Sequence, residues 1–235
     1  MNRPDDIKAA EFDAYTANYN EEINKALNFS GLDIDFFARV KNDYLVDILN
    51  KRQAGAIKAE LLDVGCGVAN AHGQLTGRVG SIAGVDVSTA SISVARQRNP
   101  GIRYETFDGT HLPFADRSFD AAFAINVFHH VPVAQRPALV ADVRRVLRPG
   151  GLFAIFEHNP LNPVTRRIVN TCEFDRDAVL LRRRDSRLLL QNAGFGEIST
   201  RYIFSVPAAG ALLRKIDRLF SLLPFGAQYF VKATA

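Results

Sequence analysis

The chain has 235 residues, 47% hydrophobic and 23% charged, with 16 Gly and 10 Pro, a composition that excludes collagenous, disordered and disulfide-scaffold classes. A chain this long buries about 70–75% of the surface its unfolded form exposes, so the fold needs neither metal nor disulfide to hold it. The formal charge of +4 is uneven, with 17 Lys+Arg against 18 Asp+Glu in residues 1–150 and 12 against 7 in residues 151–235.

The run Arg182, Arg183, Arg184 and Arg187 lies beside Asp177 and Asp185 without interleaved aromatics, so it reads as a solvated helix face and not as a nucleic-acid surface. Only Cys66 and Cys172 are present, which points to a reducing compartment. The segment MNRPDDIKAAEFDAY lacks the apolar core of a signal peptide, and no uninterrupted apolar run of about eighteen residues occurs. The expectation is a cytoplasmic protein.

Residues 1–57 read as helical, with Val40, Tyr44, Leu45, Ile48 and Leu49 on one face and Gly55 placed to end the helix. From Glu60 the period changes. Leu61–Val64 is a short apolar run closed by glycines, and similar runs recur at Ser81–Val85, Ile102–Phe107, Phe119–Ile125 and Leu152–Phe156, the pattern of strands buried on both faces. Ala134–Leu147 carries a helical stripe stopped by Pro149-Gly150-Gly151. A loop at 159–163, a helix at Ser186–Ala193, a strand at Glu197–Val206, an amphipathic helix at Gly210–Leu223 and a strand at Ala227–Ala233 complete the chain. Strands alternating with helices predict an α/β fold built on a parallel sheet, whose ligand lies beyond the carboxyl ends of the strands at the switch point.

Polar residues stand at those ends. The first strand runs into Asp63-Val64-Gly65-Cys66-Gly67-Val68-Ala69-Asn70, where glycine lets the backbone approach a nucleoside and adopt positive φ. The dinucleotide fingerprint would need a third glycine where Asn70 stands, so a nicotinamide-dependent oxidoreductase is the weaker alternative. Asp86 follows the second strand about twenty residues on, placed to accept hydrogen bonds from ribose hydroxyls, and Asp108 follows the third. Ser88 or Thr89 could cap the next helix.

In these motifs the chain resembles the class I S-adenosylmethionine-dependent methyltransferases over roughly residues 58–206. The resemblance implies a doubly wound, mostly parallel seven-stranded sheet in a single domain: an N-terminal helical lid at 1–57, a cofactor-binding core at 58–206, and a C-terminal helix and strand at 207–235. It implies S-adenosyl-L-methionine as cofactor, held by Asp63, Gly65, Cys66 and Gly67, by Asp86 and Val87 at the ribose, by Asp108 and Gly109 at the adenine, and by Asn126 beside the methyl donor. Ala69 stands where the family has its third glycine. Leu112-Pro113-Phe114 and Leu147-Arg148-Pro149-Gly150-Gly151 resemble two of its turns. Phe12–Tyr19 is similar to the segment that folds over the cofactor in small-molecule members, and Tyr15 and Tyr19 suit a packed helix and a lid equally well; Tyr19 is counted with the cofactor residues.

Methyl transfer asks mainly for positioning, and for a general base only when the acceptor is poorly ionised. The titratable groups after the fourth and fifth strands are His129, His130, Glu157 and His158, from which His129, His158 and Glu157 are the catalytic candidates. Neighbouring histidines on a regular element face opposite ways, so one of the pair would reach the acceptor. Asn159 and Asn162 could orient it. The spacing of these groups fits no standard metal pattern, so no metal is expected. The alternative to an enzyme is a non-catalytic cofactor-binding subunit. The acceptor is expected to be a small molecule. The stripe Leu212, Leu213, Ile216, Leu219, Phe220 and Leu223 reads first as sheet packing, and second, with the basic excess, as contact with a membrane surface for an amphipathic or lipid-linked acceptor.

Overall fold

The computed structural model describes residues 13, 33–52, 55–172, 175, 177–206 and 211–235. Its elements in chain order are α1 (Ile34–Asn50), a 3-10 turn (Ala56–Lys58), β1 (Glu60–Val64), α2 (His72–Leu75), β2 (Ser81–Asp86), α3 (Thr89–Arg98), β3 (Arg103–Thr106), β4 (Phe119–Ile125), α4 (Arg136–Val146), β5 (Leu147–His158), α5 (Pro163–Thr171), α6 (Arg183–Asn192), β6 (Gly196–Ile203), α7 (Ala211–Phe220) and β7 (Gln228–Thr234).

The strands form one seven-stranded sheet in the order β3-β2-β1-β4-β5-β7-β6. β1 pairs parallel with β2 and β4, as do β2 with β3 and β4 with β5, while β7 runs antiparallel to both β5 and β6. The chain winds outward from β1 to β3 and then returns to lay β4 on the other flank of β1. That reversal makes the carboxyl ends of β1 and β4 the switch point, where open sheets bind ligands.

Both faces of the sheet are covered, and the period of two along each strand divides its side chains between them. Leu61, Phe123 and Phe156 join α1 in one core; Leu62, Phe153 and Ile155 join α4 and α6 in the other. Full burial of each such side chain is worth about 1.5–3 kcal/mol. The stripe Val40, Tyr44, Leu45, Ile48 and Leu49 is buried as its spacing predicts. Asp33 opens α1 by accepting from Phe36 N–H at 2.7 Å. Gly55 does not end it: the helix stops at Asn50, and Gly55, at φ 68°, opens the 3-10 turn that leads to β1.

Two further boundaries differ from the sequence reading. α4 ends at Val146 because Leu147 is already extended and pairs with Phe119, a partner invisible to helical periodicity. Part of the stripe on α7 faces outward: Leu219 is 80% exposed, Leu213, Phe220 and Leu223 are exposed too, and Ile216 is half-buried. The helix is held by Asp217, whose carboxylate accepts from Phe204 N–H, Ser205 N–H and Tyr44 hydroxyl at 3.1, 2.6 and 3.1 Å. Among the described residues, no helix is long and apolar enough to cross a membrane.

Candidate active site

Beyond β1 the backbone turns sharply. Gly65 has φ 78° and Gly67 φ 52°, and a Cβ on Gly65 would lie 2.5 Å from Val127, which follows β4. Glycine here lets the ends of β1 and β4 close on one another. Ala69 adopts φ 53°, so the residue at the third-glycine position keeps the left-handed conformation despite its Cβ, at about 1–2 kcal/mol. Cys66 turns its side chain toward the space above Gly84, where an added Cβ would meet its sulfur at 2.9 Å, and burial, with Asp86 and Asp63 nearby, pushes its thiol well above the ordinary value. That thiol is a packing group, poorly ionised.

Asp86 closes the turn. One carboxylate oxygen accepts from Gly67 N–H at 2.8 Å and the other from Ser88 N–H at 2.9 Å. Burial pushes its carboxyl up to about 6, with the two N–H groups pulling the other way. Ser88 caps α3 by accepting from Ser91 N–H at 2.9 Å, and its hydroxyl donates to Asp13. Val87 lies 3.7 Å from where a Cβ on Gly109 would stand, so the ends of β2 and β3 bring these two residues together. Asp108 is exposed and accepts on one oxygen from Thr110 N–H, Thr110 hydroxyl and His111 N–H at 2.8, 3.0 and 2.7 Å. Burial opposes its charge, but those donors hold the carboxyl below its ordinary range.

Two buried acceptors beside the turn lack a partner among the described residues: Asp63 Oδ1 and Asn126 Oδ1. The other oxygen of Asp63 meets His72 Nε2 at 2.8 Å, and His72 Nδ1 meets the Tyr104 hydroxyl at 2.7 Å. Sequence reasoning missed His72 and Tyr104, which nothing local marks. Asn126 sits at φ 56° and donates its N–H to Phe156 O at 2.9 Å; asparagine tolerates this conformation better than most residues.

The ends of β4 and β5 meet in a buried polar layer. Glu157 accepts from Phe128 N–H at 2.8 Å and pairs with His129 Nδ1 at 2.6 Å. His129 Nε2 and His130 Nε2 each lie 3.4 Å from Asp175 Oδ1. The two histidines thus do reach one place, with ring centroids 4.1 Å apart, because residues 128–130 form a turn and not a regular element. His158 lies 5.2 Å from the His129 ring, and its Nδ1 faces Gln228 Nε2 at 3.5 Å. Burial alone would lower the His129 pKa, but Glu157 and Asp175 outweigh it and raise it to about 9. Burial, then the charge on His129, takes His158 down to about 4.

Lys41 of α1 is buried near this layer, and burial lowers its pKa to about 8 against the pull of Glu157. A lysine beside Val40 on the apolar face of a helix was the signal for it. Asp175, from a distant segment, carried none. Asn159 and Asn162 do not face an acceptor: Asn159 donates to Pro224 O and Gly226 O at 3.1 and 2.8 Å, and Asn162 caps α5 and donates to Phe225 O at 2.8 Å. Tyr15 and Tyr19 lie outside the described residues.

Comparison with known proteins gives one consistent picture. Residues 62–155 match the family model described as a methyltransferase domain. The chain is 33% identical over 170 residues to O-methyltransferase cnsE of Penicillium expansum, covering 67% of this chain and 59% of that protein. It is 34% identical over 109 residues to the phthiotriol/phenolphthiotriol dimycocerosates methyltransferase of Mycobacterium tuberculosis, covering 45% and 40%. The chain thus spans less than two thirds of the length of the curated relatives it matches. Its fold is similar to that of a crystallised S-adenosylmethionine-dependent methyltransferase of Thermotoga maritima, with TM-score 0.67, 17% identity, and 95% and 97% of the two chains covered.

Proposed function

We propose, from the methyltransferase-domain match over residues 62–155 and the fold it shares with solved methyltransferases, that this chain is a class I S-adenosylmethionine-dependent methyltransferase that transfers the methyl group of S-adenosyl-L-methionine to a small-molecule acceptor in the cytoplasm. The observation that carries the reading is the ring of acceptors at the β1/β4 switch point: Asp86 on the Gly67 N–H, with Asp63 Oδ1 and Asn126 Oδ1 buried and without a partner among the described residues. Each carboxylate oxygen has two lone-pair sites, so Asp86 can hold its two N–H donors and still accept from two ribose hydroxyls. A buried acceptor without a donor costs about 1–3 kcal/mol; the α-ammonium of the cofactor would satisfy Asp63 Oδ1. Gly65 and Gly67 keep side chains out of the way, and Val87 and Gly109 would flank the adenine beside Asp108.

When bound, the cofactor supplies a sulfonium methyl that is electrophilic without help from the protein. The chain has then to place the acceptor in line and exclude water. His158, at the end of β5, is the group we assign to receive the acceptor proton. His129 borders the same layer, and Glu157 acts as a positioning residue that holds both His129 and the backbone of Phe128.

The acceptor we favour is apolar or amphipathic. Leu161, Val164, Leu222 and Phe225 are exposed, and hydrogen bonds from Asn159 and Asn162 to residues 224–226 tie their two loops together just past β5. The exposed Arg166, Arg167 and Lys215 border these segments in sequence. The relatives' printed names, an O-methyltransferase and a methyltransferase of phthiotriol dimycocerosates, agree with a hydroxyl acceptor on an apolar molecule. The test is calorimetric titration with S-adenosylhomocysteine followed by methyl transfer to a panel of hydroxylated apolar acceptors. Binding with turnover of such an acceptor is expected. Binding with no turnover on any acceptor would leave a non-catalytic subunit, and no binding would remove the reading.

A further inference from the structure

His129, His130 and Asp175 each offer one ligand atom to a group whose members all lie within 4.8 Å of one another. Each imidazole nitrogen is 3.4 Å from the same carboxylate oxygen, longer than the ~2.7–2.9 Å of a charge-assisted hydrogen bond. Donors bound at ~2.0–2.1 Å to one tetrahedral ion lie about 3.3–3.4 Å apart, which is the separation of each imidazole nitrogen from the carboxylate oxygen. On the opposite side of the His129 ring, Nδ1 meets Glu157 at 2.6 Å. A carboxylate on the far nitrogen fixes the tautomer with Nδ1 protonated and turns the Nε2 lone pair outward, the arrangement that supports metal-bound histidines. Glu157 is itself fully buried and held by Phe128 N–H at 2.8 Å. Backbone, carboxylate, imidazole and ligand point thus form a rigid chain.

We propose that His129 Nε2, His130 Nε2 and Asp175 Oδ1 bind a divalent first-row transition-metal ion, with Glu157 orienting His129. Two imidazoles and one carboxylate suit Zn2+, Fe2+ or Mn2+ better than Mg2+ or Ca2+, which favour all-oxygen shells. Three protein donors leave at least one position open to water or to an oxygen of the acceptor, which the ion would polarise. The sequence spacing gave no such pattern because the third donor arrives from a segment some forty residues beyond the histidines, and only the fold brings it there.

The probe is Co2+, followed by its visible d–d absorption, added to the full chain after chelator treatment and dialysis, with Zn2+ competition read by calorimetry. A single saturable site per chain is expected, displaced by Zn2+. Asp175→Asn and His130→Ala should each weaken it by about 10–100-fold or more, and Glu157→Gln by about 10–100-fold, while His111→Ala, at an exposed histidine paired with Asp142, leaves it unchanged. Circular dichroism and binding of S-adenosylhomocysteine on the same samples separate loss of the ion from loss of the fold, and keep this result apart from that of the methyltransferase reading. Should Asp175→Asn fail to fold, His130→Ala decides. No saturable Co2+ binding, or binding undiminished in a folded His130→Ala or Asp175→Asn variant, would overturn the proposal.

Discussion

At the scale of single residues, the site depends on acceptors whose partners are backbone N–H groups. Asp86 shows the consequence for pH. Its carboxyl, lifted to about 6 by burial, would accept the ribose hydroxyls of the proposed cofactor at full strength only when ionised, so affinity for S-adenosylhomocysteine should be level above about pH 7 and fall as the pH drops through 6, by up to tenfold per unit. Asp86→Asn should be weaker by about ten- to a hundredfold at neutral pH and lose that slope. Calorimetry from pH 5 to 8 on both proteins checks it; a flat wild-type profile would remove Asp86 from the contact. Gly65→Ala combines positive φ with a Cβ 2.5 Å from Val127 and should lower stability by about 2–3 kcal/mol, read by urea unfolding. Gly65, Gly67, Asp86 and Asp108 were legible because a turn chemistry and a strand end announce them locally. His72, Tyr104 and Asp175 were not, since each matters through a partner far away in sequence.

Elements are held where side chains cross between them. The Asp217 carboxylate links α7, the end of β6 and α1, and Arg218 beside it pairs with Asp47 of α1. Asp217→Ala leaves three backbone N–H groups, of Phe204, Ser205 and Val206, and a buried hydroxyl without their charged acceptor, at about 1.5–3 kcal/mol for each such bond, so a loss of at least about 3 kcal/mol is expected in urea unfolding. Tyr44→Phe removes one of the four and should cost about 1.5–3 kcal/mol. A loss below about 0.5 kcal/mol for Asp217→Ala, the range of an inert surface change, would show that α7 is held by something else. The periodicity that places α1 correctly misleads at α7, because amphipathic spacing says which face is apolar and not what covers it. The same limit explains Leu147, which the pattern assigns to α4 and the sheet claims through Phe119.

On the scale of the molecule, the exposed apolar residues gather where α5 and the loop after α7 meet, next to the end of β5. Leu219, Leu222 and Phe225 are 80%, 65% and 64% exposed. If that surface receives an amphipathic acceptor at a membrane, the chain should co-sediment with vesicles containing phosphatidylglycerol at low salt and less so at high salt, where the attraction of the basic residues is screened. Leu219→Ser combined with Phe225→Ser should reduce this binding several-fold with the unfolding midpoint unchanged, since neither side chain is buried. Absence of binding at both salt concentrations would leave a freely diffusing acceptor. By itself the sequence determined the alternation of strands and helices, the parallel character of most of the sheet and the polar residues at the strand ends, because hydrophobic period, glycine and the residue after each strand act over a few positions. Only the tertiary structure decided the insertion of β7 antiparallel between β5 and β6, the bare face of α7 and the meeting of His129, His130, Glu157 and Asp175, since each depends on which distant segments the closed sheet brings side by side.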